Sequence, residues 1–103
     1  MILEALKSDM LLVHKSGDTF KLGAIRFLLA AMKNREIELR PQNKEFTDEE
    51  ALKVIKKQMK QRNDSIENYK MGKRQDLVDK ETAELKLLEE YFNKFSQELG
   101  VSL

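Results

Sequence analysis

The sequence predicts an all-α fold: two antiparallel helical hairpins in a four-helix arrangement. Three observations predict it. Apolar residues recur at steps of three and four, and no stretch alternates with the two-residue period of a strand. One proline and four glycines among 103 residues leave few places where a helix must stop. The few breaks carry capping residues and divide the chain into four segments of helical length. Short connections between such segments favour antiparallel neighbours.

The first segment runs from about Ile2 to Lys15, with Ile2, Leu3, Leu6, Met10 and Val13 on one stripe. Ser16-Gly17-Asp18 ends it: Gly17 suits a left-handed C-terminal stop, and Asp18 suits the N-cap of the next helix. The second segment covers about Thr19 to Arg40, with Leu22, Ile25, Leu28, Leu29, Met32 and Leu39 on a common face. Gly23, Ala24, Ala30 and Ala31 are small enough to admit a close neighbour, and Pro41 stops the helix. Thr47-Asp48-Glu49-Glu50 opens the third segment as a capping box, Thr47 accepting from the Glu50 amide and Glu50 reaching back. Leu52, Ile55, Met59, Ile66 and Tyr69 form its stripe, and Gly72 ends it. The fourth segment starts near Asp76 as N-cap and runs to about Leu99. Leu77, Leu85, Leu88, Tyr91 or Phe92, Phe95 and Leu99 recur along it, and Gly100 is its stop.

Composition narrows the function classes. Charged residues are 36% of the chain, yet the signs are interspersed and the formal net charge is +1. A dedicated nucleic-acid binder is usually more basic, so RNA binding would have to rest on a local patch. There is no cysteine, which excludes disulfides, thiolate metal sites and cysteine nucleophiles. The single histidine, His14, sits in the last turn of the first segment, where it complements a helix C-terminus. No nucleophile–base pair, phosphate loop or acidic metal constellation is visible, so no catalytic residue, metal ligand or cofactor is assigned. Gly72-Lys73-Arg74-Gln75 lacks the first glycine and the Ser/Thr of a P-loop. No apolar run approaches the roughly 20 residues that span a bilayer. The N-terminal stretch carries acids and is not shaped like a targeting peptide, so a cytoplasmic location is expected, or an organellar one if a leader has been removed.

Three groups of side chains stand out. Lys53, Lys56, Lys57 and Lys60 share one face of the third helix. They read either as a solvated face or as a surface for an RNA backbone, which lysine contacts by charge alone. Arg62 lies inside an apolar stripe, Glu36 near the centre of another, and Arg26 at an edge. Buried charges are costly unless paired, so Glu36 or another acid is expected to pair with Arg62 between helices. Lys70, Lys73 and Arg74 gather just before Asp76. That turn reads either as an anion site at a helix N-terminus or as a cap with a covering arginine.

The stretch from Gly72 to Tyr91, GKRQDLVDKETAELKLLEEY, resembles a signature of the GatB/YqeY-related family. Arg26 to Ile37 is similar to that family's second helix, and Phe46 to Glu50 together with Lys60 to Ile66 to its third, in order and spacing. The resemblance implies a YqeY-type N-terminal helical domain over residues 1–103. The family's smaller second bundle is expected to be missing, and Phe92-Asn93 stands where the family commonly has Leu-Pro. It also implies a neighbourhood: tRNA-dependent amidation, a carbon–nitrogen ligation with glutamine as amido donor, in which tRNA or amidotransferase subunits are the partners. The function expected is therefore a non-catalytic module accessory to that reaction. The alternative is a helical protein–protein interaction module, self-associating or holding a partner through Phe92, Phe95, Val101 and Leu103.

Overall fold

The computed structural model describes residues 1–100. Helix α1 spans Ile2–Ser16, α2 Thr19–Leu39, α3 Asp48–Met71 and α4 Gln75–Leu99, with a 3-10 turn over Arg40–Gln42. No strand occurs among the described residues, and the all-α expectation is met. The sequence reads as a single domain over residues 1–103. The structure separates into two compact units, Met1–Val54 and Ile55–Leu103, with the boundary inside α3.

In the first unit α1 and α2 pack as a hairpin. Gly17 makes the turn at φ 80, its N–H directed at the carbonyls of Val13 and His14. A residue with a Cβ pays about 1–2 kcal/mol to stand in that left-handed region. Asp18 Oδ1 then accepts the Lys21 N–H at 3.0 Å, the expected N-cap of α2. Ile2, Leu6 and Val13 of α1, Ile25, Leu28, Met32 and Leu39 of α2, and Ala51 and Leu52 of α3 are buried. Gly23 does not admit a neighbour: it is exposed, and nothing lies within 4 Å of where its Cβ would be.

The start of α3 departs from the sequence reading in two ways. Thr47 Oγ1 accepts the Glu50 N–H at 3.2 Å, as a capping box requires. Glu50 does not serve as the reciprocal cap, because its Oε2 accepts from Arg35 Nε at 3.1 Å. A bond between two ions is stronger than one from a neutral amide, so the guanidinium takes the carboxylate. Arg35 also binds Glu38 at 3.2 Å, and these two hydrogen bonds, Glu50 first, raise its already high pKa. Asp48 looks away from its own helix: its Oδ1 accepts the Ile2 N–H at 3.0 Å and so caps α1.

The second unit holds α3 from Ile55 onward, the turn, and α4. Ile55, Ile66, Val78, Leu88, Tyr91 and Phe95 are buried. Tyr91 and Phe95 stack one helical turn apart, with ring centroids 5.7 Å apart and planes 11° from parallel. Of the aromatic C-terminus read as a docking surface, Phe95 is 1% exposed and Phe92 is half-buried. Val101 and Leu103 lie outside the described residues. Gly100 closes α4 at φ 65.

Candidate functional site

The polar features of the second unit converge on the turn between α3 and α4. The sequence points to Gly72 as the helix stop, but the left-handed residue is Lys73, at φ 56. The Arg74 N–H reaches the Tyr69 carbonyl at 2.9 Å and the Lys73 N–H reaches that of Lys70 at 3.1 Å. This is the paired bonding of a Schellman stop, displaced one residue beyond the glycine. The displacement leaves Lys73 exposed at the apex.

The sequence points to Asp76 as the N-cap of α4. The helix starts one residue earlier, at Gln75, and Arg74 occupies the cap position with no side-chain capping bond. Asp76 sits in the first turn, where Arg74 Nε and Nη2 each donate to its carboxylate at 3.3 Å. The guanidinium is the nearer and stronger attraction, so it, rather than an amide, fixes the carboxylate. That hydrogen bond, with lesser help from first-turn amides and the guanidinium charge, holds the Asp76 carboxyl below the usual aspartate range.

Beside this pair lies an open concavity of about 280 Å³ lined by Tyr69, Lys70, Lys73, Arg74, Gln75 and Val78. Lys70 Nζ stands 3.8 Å from Glu67, so its charge is partly met. Among the described residues no ion pair is made by Lys73. Lys56, Lys57 and Lys60 are exposed on α3 in the same unit, with Lys60 Nζ 3.8 Å from Asp64. Lys53 belongs to the first unit and is exposed, 4.0 Å from Glu50.

Arg62 finds its acids on α4. Its Nη1 donates to Glu81 Oε2 at 3.2 Å, and its Nε stands 3.2 Å from Glu84 Oε2. All three side chains are largely shielded, at 19%, 11% and 21% exposure. The expectation of an interhelical pair with some acid therefore holds, but Glu36 is not that acid. Glu36 accepts from Arg40, just past the end of its own helix, at 2.8 Å, where its carboxylate reaches solvent. Arg26 is exposed and joins no ion pair among the described residues.

The sequence did carry a signal for Glu81. Val78, Glu81, Leu85, Leu88, Phe92 and Phe95 follow steps of three and four, so Glu81 interrupts the α4 stripe as Arg62 interrupts that of α3. Two opposite charges set into facing apolar stripes predict each other. Arg35 and Asp48 had no such signal, since both stand among ordinary surface charges. Among the described residues no three carboxylate or histidine groups gather in a way that holds a metal ion. No helix among them is long and apolar enough to cross a membrane.

Comparison with known proteins places this architecture. The chain is 34% identical over 102 residues to a Candida glabrata protein named Altered inheritance of mitochondria protein 41, mitochondrial, covering 98% of this chain and 53% of that protein. The proteins of the same name from Kluyveromyces lactis and Saccharomyces cerevisiae are each 36% identical, over 89 and 99 residues. Those matches cover 86% and 93% of this chain, and 47% and 52% of the yeast proteins. The chain thus spans about half the length of the curated relatives it matches. A family profile described as Yqey-like protein matches residues 3–99, nearly the whole of the four helices, and the chain belongs to that family.

Proposed function

We propose that the protein is a non-catalytic accessory module of tRNA-dependent amidation, and that it holds RNA by its phosphates. The observation that carries the reading is the α3–α4 turn. There Lys73 projects from the apex, Arg74 is oriented by Asp76, and Lys70 completes the rim of an open concavity. Cations around a hollow beside a helix N-terminus offer the positive charge that holds a phosphate. Lys56, Lys57 and Lys60 extend the positive surface along α3 within the same unit. The restriction to amidation rests on the family kinship alone.

The binding would be electrostatic and indifferent to base sequence, since lysine reads charge and not base edges. Fluorescence anisotropy with labelled tRNA tests it. Binding should weaken steeply with salt, and replacing Lys56, Lys57 and Lys60 by Gln should flatten the log–log salt slope by about 2 to 3. Failure to bind tRNA at low salt would remove the reading. The expected compartment is cytoplasmic, whereas the named relatives are mitochondrial. Cell fractionation following the protein expressed from its own gene decides between them, and recovery in mitochondria would reverse the assignment.

A protein–protein role is the second reading, favoured by the apolar residues that α2 leaves exposed, Phe20, Phe27 and Ile37.

A further inference from the structure

The hollow at the α3–α4 turn is lined by more than cations. Tyr69 and Val78 bring apolar surface to it: Val78 is 6% exposed, and Tyr69 is half-buried. Charge alone accounts for Lys70, Lys73 and Arg74 but not for a ring and an aliphatic side chain among them. The two tyrosines of the chain are also used differently. Tyr91 is 6% exposed and stacks on Phe95, whereas Tyr69 stands at the hollow beside Lys70 and Lys73.

The backbone joins the apolar and cationic sides. The Arg74 N–H bonds the Tyr69 carbonyl at 2.9 Å, and the Lys73 N–H bonds that of Lys70 at 3.1 Å. The cation-bearing residues are thus held at a set spacing from the ring-bearing one before any ligand arrives, which lowers the ordering cost of binding. Arg74 commits Nε and Nη2 to Asp76, at 3.3 Å each, and keeps Nη1 for a further acceptor. Asp76 offsets part of the guanidinium charge, so Lys73, at the exposed apex, is the stronger attraction for an anion.

We infer that the hollow takes one unpaired nucleotide of an RNA strand, its base against Tyr69 and Val78 and its phosphate on Lys73 and Arg74. This rests on the reading above that the turn holds RNA by its phosphates, and adds which part of an RNA it selects. In a duplex both faces of a base are covered by its neighbours, whereas in loops and at ends a base is free to stack on an aromatic side chain. A volume of about 280 Å³ is small beside the roughly 300–1,000 Å³ of most ligand sites, which limits the hollow to a single nucleotide. Every base has a π-face, so the selection is for single strands and not for a sequence.

A single-stranded ribo-oligonucleotide carrying one 2-aminopurine, whose fluorescence falls when the base stacks, is the probe. The protein should quench it, and should bind it more tightly than the same strand annealed to its complement. Charge alone predicts the opposite order, because the duplex has the higher charge density. Tyr69→Leu should weaken single-strand binding at least about fivefold, the low end for one stacked base, and Tyr69→Phe should leave it unchanged. An all-abasic strand of equal length should bind the wild type weaker by the same factor, which tests the base without altering the protein. A duplex bound as tightly as the single strand, an abasic strand held as well as the intact one, or an unquenched probe overturns the inference and leaves backbone binding standing. Absence of binding to every strand at low salt removes both readings. The free monophosphate of 2-aminopurine riboside, if held as tightly as the strand, supports the same contacts and makes a free nucleotide their source.

Discussion

Replacing Arg62 should be costly although it is a charged residue. Its guanidinium neutralises Glu81 and Glu84 in a setting where all three side chains are largely shielded. Arg62→Met should destabilise the protein by about 3 kcal/mol, because Glu81 is left shielded and uncompensated. Arg62→Met combined with Glu81→Leu should recover most of that loss, since an apolar pair of similar volume has no desolvation cost to offset. Urea denaturation of the two variants checks both halves, and two equal losses would show that the pair contributes packing alone. Asp76 makes a second prediction, about pH. Its carboxyl titrates below the ordinary range because Arg74 bonds the ionised form. The stabilisation is therefore complete above the unfolded-state value and fades as pH falls through the lower folded-state value. Carbon-13 NMR should find Asp76 titrating low, and Arg74→Ala should move it up.

At the scale of the elements, helix ends add to the stability that the packed faces supply. Asp18→Ala removes the acceptor for the Lys21 amide and should cost about 1 kcal/mol in thermal or urea unfolding. Lys73→Gly should do the reverse and stabilise by about 1 kcal/mol, because lysine stands where glycine is at no disadvantage. The same ends show what the sequence makes legible. The α1 stop at Gly17, the α2 cap at Asp18 and the Thr47 start of α3 all follow local chemistry that involves neighbours in the chain. The end of α3 and the start of α4 do not. The Schellman bonds settle one residue past Gly72, which moves the start of α4 ahead of Asp76 and gives its carboxylate chiefly to Arg74, with first-turn amides in a lesser part. Caps made at a distance were illegible altogether: nothing near Asp48 announces that it serves Ile2, 46 residues away.

For the molecule as a whole, a net charge of +1 gives no long-range field to draw in an RNA. Any affinity must come from the local cluster of cations, so it should vanish at moderate salt and survive replacement of lysines outside that cluster, such as Lys7 or Lys15. Anisotropy measurements on Lys73→Gln and Lys7→Gln compare the two directly, and equal losses would spread the effect over the entire surface. The helix count and most of the core were readable because apolar periodicity reports burial faithfully. Function was less readable. A lysine on a helix face looks the same in sequence whether it is solvated or waiting for a phosphate, and it is the hollow beside Lys73 that sets that group apart.

The α3–α4 turn also has a consequence for proteolysis. Met71, Gly72, Lys73 and Arg74 are all exposed, and two adjacent basic residues sit at a left-handed apex outside any helix. Trypsin-like proteases cut such exposed tips first. A single nick after Lys73 or Arg74 would sever the chain between α3 and α4 while leaving the Arg62–Glu81 bond, which lies well inside both helices, to hold the fragments together. The two pieces should run as one species in native gels and separate in denaturant. Lysine at the apex thus makes the turn a latent scission point, and a phosphate bound there would shield it.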